Sequence, residues 1–230
     1  MVDLRINLPE HFLEGETRDG YYVSPEMKKV WAVELDLLNE FMRVCKKHNL
    51  RWFADGGTIL GTMRHGGFIP WDDDIDVMMM REDYEKLNKI APTEFKHPYF
   101  WATELTDPGL NHGYAQLQNI QTTAILKHHL PKKFTFHQGI FLDIFPVDNI
   151  SADEKVQNEF IKEVVACKQR CGIISGCTFM YRSNITSTKN RLTHFLKHIL
   201  YTICGKSREY DKAVQKMYNT MMRYDNEKTE

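Results

Sequence analysis

The chain has 230 residues, enough to bury a substantial core in one main domain with additions. Its 30 Lys and Arg stand against 31 Asp and Glu, a balance that argues against general nucleic-acid binding. Five cysteines, an odd number, point to reduced thiols rather than a disulfide framework.

The opening MVDLRINLPEHFLEGE has no basic segment followed by an apolar one, so no secretory signal is read. Residues 1–23, with Pro9, Gly15, Gly20 and mixed charges, are expected to form an irregular N-terminal arm. Ser24-Pro25-Glu26 then starts a helix, with serine as N-cap and proline at the first helical position. Met27, Val30, Trp31, Leu37, Leu38, Phe41, Met42 and Cys45 keep helical spacing to about His48. Trp31 and Phe41 on that stripe are expected in the core.

Next comes the stretch that carries chemistry, Arg51 to Tyr84. Trp52-Phe53-Ala54 is a short strand, Gly56-Gly57-Thr58 a turn, and Ile59, Leu60 and Met63 begin a short helix. Glycines at a strand-to-helix turn let backbone approach a ligand, and a helix N-terminus offers free N–H groups to a phosphate. In Asp72-Asp73-Asp74-Ile75-Asp76-Val77, a strand with Ile75, Val77 and Met79 facing a core turns Asp74 and Asp76 to the other face. Two such carboxylates can share Mg²⁺ or Mn²⁺. Asp72 either joins the ligands or supports them, and Asp73, on the opposite parity, is expected to be structural. In the intervening loop, Arg64 and His65 could hold phosphates or merely fix the loop. Trp71 could stack on a base, or wedge the loop onto the core.

A helix follows from Arg81 to about Ile90, with acidic residues in its first turn and Pro92 after it. Strands are expected at Tyr99–Thr103 and Tyr114–Asn119, with a weaker one at Thr122–Leu126 and a loop between Thr106 and Gly113. In Gly139–Asp148, GIFLDIFPVD, Asp143 sits inside an apolar strand where it is costly to bury without a partner. Ser151-Ala152-Asp153-Glu154 reads as a capping box opening a helix to about Cys171. Cys167, Cys171 and Cys177 lack paired zinc spacing and are expected as ordinary cysteines, with zinc as the lesser reading. A basic helix over roughly Lys189–Cys204 has an apolar face that either meets the core or touches an anionic membrane. Its run Phe195–Cys204 is too short to span a bilayer. A last helix starts near Ser207.

The block GGTILGTMRHGGFIPWDDDIDVMMMREDYEKL closely resembles the LicD family, whose eukaryotic relatives include fukutin-type proteins, and GIFLDIFPVD resembles that family's second block. The likeness runs from about Leu37 to Asp148 and weakens after it, and the family's further C-terminal segment is expected to be short or absent. It implies an α+β fold: a nucleotidyltransferase-like mixed β-sheet flanked by helices over residues 24–150, with additional C-terminal helices over 151–230. It also implies that Asp143 lies beside Asp74 and Asp76, completing the metal shell or accepting the proton of an acceptor hydroxyl.

The expected function is Mg²⁺-dependent transfer of phosphocholine or a related phospho-alcohol from a CDP-linked donor such as CDP-choline. The acceptor would be a glycan or glycolipid hydroxyl of the cell surface, as in lipopolysaccharide or teichoic acid. Asp74, Asp76, Asp143 and Asp72 would serve the metal; Gly56, Gly57, Thr58, Arg64, His65 and Trp71 would serve the donor. A nucleotidyltransferase acting on a small acceptor and an inactive binding protein of the same fold are the alternatives. The expected location is the cytoplasm, with at most peripheral contact at the inner face of the membrane.

Overall fold

The structure, a computed structural model, describes residues 2–110, 112–125, 132–134, 136–178, 180–182, 192–193, 195–196, 199 and 208–225. In chain order its elements are β1 (Glu16–Arg18), β2 (Tyr21–Val23), α1 (Pro25–His48), β3 (Phe53–Ala54), α2 (Gly56–His65), β4 (Asp76–Met80) and α3 (Arg81–Glu94). Then follow β5 (Tyr99–Ala102), β6 (Ala115–Asn119), β7 (Lys132–Phe134), β8 (Ile140–Val147), α4 (Glu154–Thr178), β9 (Met180–Arg182) and α5 (Arg208–Met221). A mixed five-stranded sheet in the order β3-β4-β8-β6-β5, with helices, gives the α+β class expected.

The chain packs as two units. The first comprises Met1–Trp101, Tyr114–Ala124 and Gln138–Val147; the second comprises Ala102–Gly113, Ile125–His137 and Asp148–Glu230.

In the first unit, β4 runs parallel to β8, while β3 pairs antiparallel with β4 and β6 antiparallel with β8. One face of this sheet carries Val77, Met79, Leu142, Ile144, Ala115 and Leu117. Against it pack Val33, Leu37, Phe41 and Val44 of α1 and Tyr84, Leu87 and Ala91 of α3. Each such side chain, fully withdrawn from water, contributes roughly 1.5–3 kcal/mol. That is why the long amphipathic α1 lies flat on the sheet.

Local signals account for most boundaries. Ser24 Oγ accepts from Met27 N at 3.2 Å, and Asn49 closes α1 in the left-handed region. α3 runs through Pro92 to Glu94, beyond the expected end near Ile90. The proline sits in the last turn, where Phe95 N still bonds Ala91 O at 3.0 Å. The N-terminal arm is not irregular throughout. β1 and β2 form an antiparallel hairpin across Asp19 (φ 51) and Gly20 (φ 78), two positive-φ positions of the kind a tight hairpin turn requires. Asp36, buried on α1, accepts from Arg5 N, Ile6 N and Tyr99 Oη at 2.7, 3.1 and 2.6 Å, tying down the start of the chain.

Of the weaker strand expected at Thr122–Leu126, residues Thr122–Ile125 are not strand, and Leu126 lies outside the described residues. Thr122 instead turns, donating its hydroxyl to Asn119 O at 2.6 Å.

In the second unit, α4 and α5 share a core of Cys167, Cys171, Ile174, Tyr210, Ala213, Val214, Met217 and Tyr218. Burial pushes the Cys171 thiol up to about 11, so it behaves as a packed thiol. The N-cap of α4 is Asp153 rather than Ser151: its Oδ1 accepts from Lys155 N and Val156 N at 2.8 and 3.1 Å. The helix also continues past Gly172 to Thr178, with Ser175 Oγ donating to Gly109 O. β7 pairs antiparallel with β9. Most of the basic helix expected at Lys189–Cys204 lies outside the described residues; Leu192, Phe195 and Leu196 within it are helical and exposed. No helix among the described residues is long and apolar enough to cross a membrane.

Candidate active site

The sheet's second face begins where β4 begins. With Val77 and Met79 turned into the core, Asp76 points to the opposite side. The parallel ladder sets Asp76 opposite Asp143, and the antiparallel ladder sets Gln116 opposite Asp143. At the usual strand spacing of about 4.8 Å, three polar side chains stand in one row. Asp143 is thus brought to Asp76, as expected.

Asp74 enters differently from the expectation. β4 starts only at Asp76, so Asp74 belongs to the preceding loop rather than to the strand. That loop is pinned from below: Trp31 Nε1, on the buried face of α1, donates to Asp72 O at 2.8 Å, and Asp72 N donates to Ile69 O at 3.0 Å. Trp31 also stacks on Phe68 with centroids 4.5 Å apart, which confirms its core role. Because the loop is not a strand, alternation does not separate Asp73 from its neighbours. Asp72, Asp73 and Asp74 each offer a carboxylate oxygen, all within 4.8 Å of one another. Asp73, expected to be structural, therefore joins the acidic group.

This crowding is expensive without a cation. Desolvation, then Asp76 and Asp72, push the Asp74 carboxyl up to about 6. Desolvation pushes Asp143 to about 7 despite hydrogen bonds from Gln116 and Tyr114, and Asp76 is raised by burial and by Asp55. Among the described residues no lysine or arginine pairs with Asp72, Asp73, Asp74, Asp76 or Asp143. Hard oxygen ligands whose mutual repulsion is unrelieved fit Mg²⁺ or Mn²⁺ by their chemistry.

The diglycine turn lies directly beneath. Asp55 caps α2, accepting from Gly56 N at 2.8 Å through Oδ1 and from Thr58 N and Ile59 N through its carbonyl. Thr58 Oγ1 accepts from Asp76 N at 2.8 Å, coupling the first turn of α2 to the first residue of β4. A Cβ on Gly57 would stand 2.4 Å from Asp72 Oδ2, and one on Gly56 (φ +49) would stand 3.0 Å from Asp76 Oδ2. What the missing side chains admit here is carboxylates, laid against a helix N-terminus that favours negative charge. A cavity of about 120 Å³ opens beside them, bounded by Leu35, Leu38, Gly57, Thr58, Asp72 and Asp74 among others.

Arg64, His65 and Trp71 lie further along. Arg64 is exposed in the last turn of α2, roughly 10 Å along the helix axis from Gly57 at 1.5 Å per residue. His65 Nδ1 meets Asp19 Oδ2 of the hairpin turn at 2.6 Å. Trp71, 58% exposed, packs edge-on to Tyr21 and to His65, each with centroids 5.9 Å apart. His65 and Trp71 therefore lie beside the hairpin, and among the described residues neither they nor Arg64 bonds to Asp72, Asp73, Asp74, Asp76 or Asp143.

Sequence reasoning missed the support of Asp143. Gln116 Nε2 donates to Asp143 Oδ1 at 2.8 Å, Gln118 Nε2 donates to Gln116 Oε1 at 2.8 Å, and Gly139 N donates to Gln118 Oε1 at 3.4 Å. All three bonds point the same way, toward the carboxylate. The alternation Ala-Gln-Leu-Gln in β6 was the available signal, two amides on one strand face.

A sequence model of the family described as LicD/FKTN/FKRP, nucleotidyltransferase domain, matches residues 49–164, half of the chain. The lipopolysaccharide cholinephosphotransferase LicD of Haemophilus influenzae is 28% identical over 177 residues, 74% of this chain and 63% of that protein. The ribitol 5-phosphate transferase FKRP of Homo sapiens is 35% identical over 51 residues, 22% of this chain and 10% of its own. An uncharacterized protein of Rickettsia prowazekii is 39% identical over 56 residues, 24% of this chain and 21% of its own. The chain thus spans less than two thirds of the length of these relatives.

Proposed function

The chain belongs to the LicD family, and we propose that it is a transferase moving phosphocholine or a related phospho-alcohol from a CDP-activated donor to a glycan hydroxyl. The observation that carries this reading is the register that sets Asp76 against Asp143, with Asp74 raised by burial and then by the charge of Asp76 and Asp72. Asp74, Asp76 and Asp143, with Asp72, would hold Mg²⁺ or Mn²⁺. Such an ion, when bound, neutralises phosphate charge and orients the transferred group.

The chain's own groups then do the rest. The Gly57 N–H lies in the first turn of α2, where no earlier helical carbonyl can accept it, and the Thr58 hydroxyl keeps its hydrogen while its oxygen accepts from Asp76 N. Both can donate to a phosphoryl oxygen. Asp143 would either complete the metal shell or, left outside it, take the proton of the acceptor hydroxyl. The hydroxyl oxygen bonds to the phosphorus of the phospho-alcohol, the bond to the cytidine phosphate breaks, and CMP leaves with the electron pair. Arg64 and Trp71, exposed beside α2, would meet the outer part of the donor. A glycolipid acceptor would be reached by peripheral contact at the cytoplasmic face of a membrane.

The test is a panel of CDP-linked alcohols incubated with glycan acceptor, Mg²⁺ and the whole chain. The expected products are CMP and a phospho-alcohol on the glycan. Asp76→Asn should lower turnover on the order of a thousandfold, about 4 kcal/mol by comparison with lost electrostatic groups elsewhere. CMP found attached to the acceptor would establish nucleotidyl transfer instead, and near-normal turnover by Asp76→Asn would reject the metal role.

A further inference from the structure

A further acidic side chain approaches the site from outside the region the family model matches. Glu34 of α1 is 2% exposed, and its Oε2 has no hydrogen-bond partner. Its neighbours place it under the acidic loop: Trp31, one turn earlier, bonds the Asp72 carbonyl, and Leu35 bounds the cavity that Asp72 and Asp74 share. Burial, then the charges of Asp74, Asp73, Asp72 and Asp76 in that order, raise its carboxyl well above the usual range. The nearby cation of the same helix, Lys28, is spent on Glu16 at 2.5 Å.

An orphaned carboxylate in a core is unfavourable unless something compensates it, and a leucine or methionine there would carry no such penalty. Adding it beneath four other carboxylates compounds the penalty. The one group that turns this set from a liability into a binding site is a divalent cation. We infer that Glu34 is a further carboxylate ligand of the divalent-cation site at the Asp72–Asp76 loop, delivered from α1. The inference rests on the proposed metal-dependent function and adds to it a residue on an element that precedes the matched region. It also gives the long first helix a part in the site beyond packing.

The experiment is calorimetric titration of Mg²⁺ and Mn²⁺ into the whole chain, with melting curves in chelator. Glu34→Gln keeps the shape while removing the anionic ligand. Cation affinity is expected to fall at least tenfold, with the chelated variant melting at or above the wild type. Unchanged affinity overturns the inference, because a protonated or merely packed glutamate is replaced by glutamine without loss. Should Glu34→Gln not fold, Glu34→Met takes its place in the same titration. Wild-type protein that binds neither ion overturns the metal-dependent reading as well, whereas loss on Asp76→Asn but not on Glu34→Gln overturns this inference alone.

Discussion

At the scale of single residues, the absent side chains decide the site as much as the charged ones. Gly57 has an ordinary backbone conformation, so its glycine is required by space: Asp72 Oδ2 stands where a Cβ would go. Gly66 is the reverse case, with φ +67 and nothing within 4 Å of an added Cβ. The two predict different failures. Gly57→Ala should push Asp72 off the helix N-terminus and weaken Mg²⁺ binding about tenfold, with little change in cation-free stability. Gly66→Ala should cost about 1 kcal/mol of stability from left-handed strain and leave cation affinity as it was. Titration and denaturant unfolding of the pair separate the two; equal loss of affinity in both would mean that the turn as a whole, not the Asp72 contact, matters.

At the scale of elements, β6 contributes to the site without owning a charge. Its amides Gln116 and Gln118 are both buried, and the chain of donors from Gly139 N to Asp143 depends on each keeping its orientation. Gln116→Met preserves length and removes both bonds, leaving Gln118 Nε2 and Asp143 Oδ1 without those partners. A loss of about 1–3 kcal/mol is expected in denaturant unfolding, and Gln118→Met alone should cost less because Asp143 keeps its donor. Much of this architecture was legible. Ser24-Pro25 announces α1, and the apolar flanks of Asp143 announce a buried carboxylate in need of a partner. What escaped was what needs a partner strand or helix to acquire meaning. Gln116 is ordinary until register sets it against Asp143. Glu34 sits on the same helical stripe as Trp31 and Leu37, which marks it as buried, but only the tertiary fold shows which carboxylates it meets. The clustering of Asp73 with Asp72 and Asp74 escapes for a related reason: these residues lie in the loop before β4, where strand alternation does not separate neighbours.

At the scale of the whole molecule, the acidic group links stability to pH and to cation in a way ordinary carboxylates do not. Asp74 and Asp143 rise from 3.8 to about 6 and about 7 in the folded chain. Over the interval between the unfolded and folded values, the native state holds more protons than the unfolded one. Their favourable contribution is therefore complete below pH 4 and disappears as pH climbs through 6 to 7. Glu94, lowered to about 2 by Lys47 and His48, has the opposite sign, but its contribution is lost only below about pH 4.5 and is constant above. Between pH 5 and 8 the raised aspartates and Glu34 thus set a falling slope, opposed below about pH 6.5 by His112, which burial lowers. In chelator the melting temperature should drop across that range. Saturating Mg²⁺ should remove that part of the slope, since a cation favours the ionised carboxylates, and should add about 2.7 kcal/mol at a hundred times its dissociation constant. Melting curves at pH 5 and pH 8, with and without Mg²⁺, are sufficient. A slope that Mg²⁺ leaves intact would mean that these carboxylates do not meet at a cation.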